Sequence, residues 1–184
     1  EQSPYSQEVS ELTRHARYLE KSVHTVKCNW KLLAESLLET YHFPFAHRPY
    51  LTGFENAFYS LGSTEGLDAR IAVPLSSFEE NADMNIMYHL FPYSFVLLMS
   101  SGLVWFHIVP VSVGESRLER YLYSYGQSEE RAQASLALLD KILDQDFSIL
   151  EGQQENAMTP QRYHFTGYEK LIQHFHRNIA IMLE

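Results

Sequence analysis

Between residues 30 and 41 the apolar side chains Trp30, Leu33, Ala34, Leu37, Leu38 and Tyr41 recur at the intervals of one helix face, with Glu35 and Glu39 on the other flank. Pro44 lacks a backbone N–H and disfavours helical geometry at Phe43, so this helix is expected to end near His42. Upstream, residues 1–7 read as a polar linker, 9–18 as a short helix and 23–27 as a strand leading into the amphipathic stretch. Residues 47–66 are mixed and hold Pro49, Gly53, Gly62 and Gly66, a composition of loop and short helix able to cover a pocket. A strand is predicted over 69–75 and a polar connection over 76–85. Three β-rich runs follow at 87–98, 103–111 and 117–124, with turn residues at 100–102 and 113–114, an order that predicts an antiparallel meander.

The pattern then changes period. Over 128–156 Leu136, Leu139, Ile142, Leu143, Phe147 and Leu150 form one apolar stripe, Ser128 is placed to cap, and Glu129 and Glu130 favour the positive end of a long helix. A last helix is predicted over 168–182. A curved antiparallel sheet followed by a long helix makes an α+β domain with a cavity between the two layers.

At 184 residues the chain fits one domain with a sizeable core. Its net charge of −9 argues against binding a phosphate backbone or an anionic membrane surface. The apolar run at 93–111 is interrupted by Ser100, Ser101 and Gly102, so it predicts two strands and no membrane span. A single cysteine, Cys28, excludes an internal disulfide framework and makes a reducing cytoplasm the expected location. Aromatic residues at 14% supply enough rings both to fill a core and to line an apolar ligand cavity.

Candidate chemistry gathers at the end of the amphipathic stretch. His42 and His47 stand five residues apart around Pro44, a spacing that lets two imidazoles converge at a helix end. Two His and one carboxylate on one face form the site of non-haem Fe(II) oxygenases, the third ligand coming from distant sequence. Nine histidines in 184 residues also produce close pairs by chance, so spacing alone leaves the pair open between metal binding and hydrogen-bonded packing.

The longer string resembles the catalytic domain of the alpha subunits of Rieske-type non-haem iron ring-hydroxylating oxygenases, which carry a similar N-W-K, A-E-N, acid-x-Y-H, x4-H pattern. The matching residues are Asn29, Trp30, Lys31, Ala34, Glu35, Glu39, Tyr41, His42 and His47, with Ser36 where the family usually has Asn. The strands over 89–123 and the closing His174–Arg177 are also similar. So is the stretch 142–154, which resembles the family's E-D-x4-E-x2-Q helix, with Gln145 in place of Glu and Glu151 and Gln154 matching. The match runs from about Val26 onward.

The resemblance implies a helix-grip (START-like) fold and a mononuclear Fe(II) held by His42, His47 and Asp146. Asp146 lies one turn from Leu143 and Leu150, near the apolar stripe, where a buried carboxylate needs a cation or hydrogen bonds; taken alone it reads equally as a helix-surface acid. Glu39 takes the family's place of the acid that bridges the first His to a Rieske-cluster histidine on a neighbouring subunit, against the simpler reading of a solvated helix acid. Phe43, Phe45, Trp105 and His107 are candidate pocket walls, Phe106 competing with Trp105 because strand alternation allows only one of them to face the cavity. His107 reads otherwise as a packing histidine, and His174 and His176 point in different helical directions.

A Rieske [2Fe–2S] centre needs two Cys and two His, and one cysteine cannot build it. The chain, which begins at Glu1, is therefore expected to be the catalytic portion of a longer alpha subunit: residues 1–20 as linker and short helix, 21–184 as the iron domain, with the Rieske domain elsewhere. The expected partners are O2, a small aromatic or quaternary-amine substrate, the Rieske domain of an adjacent subunit in a homotrimer, and a reductase or ferredoxin. The expected chemistry is hydroxylation or demethylation. Two other readings use the same residues: a zinc hydrolase with Glu39 as base, and a metal-free helix-grip ligand-binding domain.

Overall fold

The computed structural model describes residues 3–48, 50, 60–74, 84–99, 102–125, 129–158 and 164–184. Its elements are α1 (Pro4–Arg14), β1 (Ala16–Val26), α2 (Trp30–Ser36), α3 (Phe43–Ala46), β2 (Leu61–Glu65), β3 (Asp68–Pro74), β4 (Met84–Leu90), β5 (Ser94–Met99), β6 (Gly102–Ser112), β7 (Glu115–Tyr125), α4 (Glu129–Ala157) and α5 (Lys170–Leu183). The seven strands make one antiparallel sheet in the order β1-β7-β6-β5-β4-β3-β2. The predicted α+β helix-grip plan is therefore what forms: a meander from β2 to β7 is closed at one edge by β1, and the long α4 lies across the sheet.

Alternation along the strands divides the apolar residues between two faces. Phe95, Val104, Phe106, Ile108, Leu118 and Leu122 join Leu136, Leu143 and Leu150 of α4 and Phe175 of α5 in the main core. Tyr88, Val96 and Leu103 point the other way and are covered by Val9 of α1. Burying each such leucine or phenylalanine contributes roughly 1.5–3 kcal/mol, so the α4 leucines bind it to the sheet more firmly than any single polar contact. Arg120 of β7, 4% exposed, adds an ion pair to Asp140 of α4. Gly102 begins β6 at a close approach: a Cβ there would stand 2.0 Å from the Tyr123 carbonyl oxygen, which no side chain tolerates.

Several sequence expectations are corrected. Residues from Pro4 onward are helical and packed on the sheet, so most of the expected 1–7 linker is part of the domain; the boundary expected at residue 20 falls inside β1. The run at 87–98 is two strands, β4 and β5, separated at Phe91–Tyr93, where Phe91–Pro92 is cis. Residues 61–65 form β2, an edge strand with no buried position and hence no alternation to read. Of the connection expected at 76–85, residues 84–85 belong to β4 and the rest lie outside the described residues, as do the cap at Ser128 and residues 49 and 51–59 of the loop expected at 47–66.

The amphipathic stretch at 30–41 is helical only to Ser36. Its last turn tightens, with the N–H of Leu37 donating to Ala34 O and that of Leu38 to Glu35 O, while Ser36 Oγ donates to Leu33 O at 2.9 Å. Pro44 then sits in the first turn of α3, where a missing N–H costs nothing. It starts a helix instead of only ending one.

Candidate metal centre

α3 is a four-residue turn with His42 at its N-cap and His47 at its C-cap. The His42 carbonyl accepts from Phe45 N and Ala46 N at 2.9 and 2.8 Å, and His47 N donates to Phe43 O at 3.1 Å. This one turn brings the imidazoles to the same side, ring centres 5.1 Å apart, with the Phe43 ring edge-on to both. The five-residue spacing that would misalign two histidines on a long helix is what a single capped turn needs.

Asp146 reaches the pair from α4 and is buried, as is His47. Asp146 Oδ1 lies 3.6 Å from His42 Nε2 and 3.0 Å from His47 Nε2, and one donor atom from each residue falls within 4.8 Å of the others. Among the described residues neither buried Nε2 atom has a hydrogen-bond partner, so the 3.0 Å approach of His47 to Asp146 is close but not aligned as a hydrogen bond. Orphaned nitrogens facing a buried carboxylate are costly in a metal-free protein and satisfied by a shared cation. The three donors lie close enough together for one cation to be shared among them. The residues present therefore fit a mononuclear metal.

The outer ring nitrogens are occupied. His42 Nδ1 contacts Glu39 Oε1, and the His42 backbone N–H donates to Glu39 Oε2 at 3.2 Å, so one carboxylate holds both ends of the residue. His47 Nδ1 stands 2.9 Å from Gln145 Oε1, the residue next to Asp146 on α4. A ring that donates Nδ1–H outward presents the Nε2 lone pair inward, the tautomer a metal requires. Burial is the largest influence on the His47 pKa and lowers it, but the Asp146 contact, Gln145 and Glu39 together outweigh it and leave the value raised. Tyr41 hydrogen-bonds Glu169 at 3.2 Å; burial first, then Glu39 and Glu169, push its hydroxyl up to about 12, so it remains a neutral donor.

The contribution of Gln145 is the main feature that sequence reasoning missed. The residue stood out only as a replacement for the family's Glu, and the signal available was its place beside Asp146. Replacing Gln145 by Leu removes the acceptor that orients His47, so the protein is expected to keep its fold but bind Fe(II) roughly 10–100-fold more weakly. Titration with a competing chelator measures this; unchanged affinity would show that Gln145 does not set the ring.

The distant motif residues hold α4 in register with the histidines. Gln154 Oε1 accepts from Asn29 N at 2.6 Å and Glu151 Oε1 from Lys27 N at 3.2 Å. Asn29 in turn caps α2, accepting from Lys31 N at 3.0 Å, and donates to Val113 O at 2.9 Å. His174 meets Asn178 and His176 meets Glu35, so neither approaches the centre. Cys28 is fully buried, and burial, reinforced by Glu151, pushes its thiol up to about 11, which leaves it unreactive.

A cavity of about 320 Å³ opens between the sheet and α4 beside Glu39 and Asp146. Of the expected walls, Phe43 lines it. Phe45 is 75% exposed and does not. β6 turns Phe106, not Trp105, toward the cavity, and Trp105 packs on the opposite face near Val96. His107 shares that side and contacts Ser94 Oγ at 3.1 Å, so it is a packing histidine.

A one-faced set of two imidazoles and a carboxylate, with Asp146 in the wall of an apolar cavity, is a donor pattern that mononuclear non-haem oxygenase sites use. The family comparison agrees: the sequence model described as ring hydroxylating alpha subunit (catalytic domain) matches residues 10–60 and 63–184, and the chain belongs to that family. Among solved structures, the quaternary ammonium Rieske monooxygenase CntA in complex with an inhibitor superposes with a TM-score of 0.81 at 12% identity, over 98% of this chain and 54% of that one. Dicamba monooxygenase bound to 3,6-dichlorosalicylic acid gives 0.72 at 11% identity, over 91% and 59%. Naphthalene 1,2-dioxygenase with indole in its active site gives 0.65 at 15%, over 89% and 54%. The chain thus spans little more than half the length of the structures it resembles. No curated protein matches the sequence.

Proposed function

We propose that this domain is the oxidising centre of a Rieske-type oxygenase, in which His42, His47 and Asp146 hold Fe(II) and a small organic substrate occupies the adjoining cavity, to be hydroxylated or demethylated at the expense of O2. The observation that carries the reading is the pair of buried Nε2 atoms, without a hydrogen-bond partner among the described residues, close to Asp146, which itself lines the cavity. When bound, iron supplies the activation of O2 that no side chain can provide.

The chain's own groups do the rest. Glu39 and Gln145 keep both imidazoles in the Nδ1–H form, so their inner nitrogens stay available. The Phe43 ring packs edge-on against both histidines and steadies them. Apolar walls from Leu139 and Ile142 on one side and Ile71 and Met87 on the other exclude water from the reacting region, which strengthens every electrostatic contact within it. Glu39 also carries the proposed path to a Rieske centre of a neighbouring subunit: it is held against His42 and its side chain is 11% exposed.

Anaerobic loading with Fe(II), followed by metal analysis, tests the reading. About one iron per chain and substrate oxidation driven by peroxide are expected. Preferential tight binding of zinc with hydrolytic turnover would favour the hydrolase instead, and unchanged ligand affinity with no metal in any preparation would favour a binding domain.

A further inference from the structure

The cavity beside the centre has walls of one chemical kind. Ile71, Met87 and Leu97 of the sheet face Leu139, Ile142 and Leu143 of α4, and the uncharged polar side chains among the lining residues are Ser36, Thr40, Asn85 and Ser135. The charged groups lining it are Glu39 and Asp146, both acids and both turned to the histidines. No Lys, Arg or His lines it among the described residues.

We propose that the substrate is an uncharged, mostly apolar molecule of about two-ring bulk with one hydrogen-bonding group, which Asn85 receives. A carboxylate entering these walls would lose its hydration with no Lys, Arg or His among the described lining residues to pair with, and the two positive charges of the proposed Fe(II) are already matched by the carboxylates of Asp146 and Glu39. A betaine meets the same obstacle at its carboxylate end. A quaternary ammonium is recognised by a cage of aromatic faces, and the aromatic lining here is Phe43, edge-on to both imidazoles, and Phe106. For size, roughly 150 Å³ accommodates benzene, and this cavity has about 320 Å³. Asn85 offers both a donor and an acceptor from β4, opposite Val73.

The inference rests on the oxygenase reading for the reaction, but its test does not need the metal. Calorimetry on the metal-free protein compares four probes of one shape: naphthalene, 2-naphthol, 2-naphthoate and 2-naphthyltrimethylammonium. The two neutral probes are expected to bind at least about tenfold more tightly than 2-naphthoate, and more tightly than 2-naphthyltrimethylammonium, because attraction to Glu39 and Asp146 does not replace the aromatic cage that such a cation needs. 2-Naphthol is expected to exceed naphthalene by about 3- to 10-fold, a margin that Asn85→Leu should erase while naphthalene binding persists. Leu138 lines the cavity and is 41% exposed, so Leu138→Arg puts a guanidinium at the mouth without burying it. That variant should gain about tenfold for 2-naphthoate.

Equal or tighter binding of a charged probe, binding of none of the four, or no gain for 2-naphthoate in Leu138→Arg would overturn the neutral-substrate assignment. A 2-naphthol margin that survives Asn85→Leu would overturn the role of Asn85. Neutral probes that bind to a chain unable to retain iron would uphold the cavity assignment and sink the oxygenase; iron retained without any probe binding would do the reverse.

Discussion

Asp146→Ala is expected to give a folded protein that no longer retains iron. The carboxylate is one of three proposed ligands, and it is the one that approaches both imidazole Nε2 atoms. Structural metal sites with four protein ligands bind with roughly 10–16 kcal/mol, or about 2.5–4 kcal/mol per ligand, so losing one ligand costs on the order of 100- to 1000-fold in affinity. Peroxide-driven turnover should fall at least as far. Stability of the metal-free protein is not expected to suffer comparably, because the substitution removes a buried acid that makes no aligned hydrogen bond to His47.

A second readout separates this from a general loss of structure. The raised pKa of His47 depends on Asp146 opposing the effect of burial, so in the metal-free variant the ring is expected to titrate lower than in the parent. The sign for the parent follows: with its folded value above the unfolded one, His47 contributes stability that is complete below about pH 6.5 and lost as pH rises through the folded value. Asp146→Ala should abolish that contribution. Histidine NMR titration of both proteins measures it, and an unchanged His47 together with full iron content would remove Asp146 from the centre.

The parts of the domain legible in the sequence were those with strong periodicity or covalent constraint. The α4 stripe of Leu136, Leu143 and Leu150 is apolar at helical spacing and becomes core, and β6 and β7 alternate because one face of each is buried. β2 could not be read, since an edge strand with every residue exposed carries no pattern. The stretch at 30–41 misled for a different reason: Leu37, Leu38 and Tyr41 continue the helical spacing beyond Ser36, yet they leave the helix where the chain turns to deliver His42. Local periodicity there gives way to the tertiary need to place α3 against α4.

The candidate site divides the same way. His42 and His47 are near neighbours in sequence, so their convergence could be anticipated, whereas their meeting with Asp146 spans about a hundred residues and was implied by the family pattern alone. Phe106 faces the cavity instead of Trp105 because the alternation of β6 has two possible phases, and only packing against α2 and α4 on one side and α1 on the other selects between them. Likewise no sequence rule pairs Gln154 with the backbone of Asn29. Both motifs were visible; their contact was not.

In the full alpha subunit, Glu39→Gln is expected to retain about one iron per chain and lose reductase-driven turnover by at least about 100-fold, while peroxide-driven turnover stays within about threefold of the parent. The amide keeps one acceptor oxygen where the carboxylate offers two, enough to hold the His42 ring while the backbone N–H contact is given up, so the imidazole should remain oriented and the three proposed ligands intact. What changes is the charge on the group next to His42 and its capacity to accept from a second, incoming histidine. If Glu39 only positions His42, both activities should fall together or neither should fall. If it carries the coupling to a neighbouring Rieske centre, the reductase-driven reaction alone should fail, since peroxide bypasses the cluster. The bridge also requires a neighbour, which a head-to-tail trimer supplies because a heterologous interface of suitable rotation closes into a ring. Analytical ultracentrifugation of the full subunit supplies the complementary check: a stable monomer at micromolar concentration, or equal loss of both activities in Glu39→Gln with iron fully retained, would end the inter-subunit route.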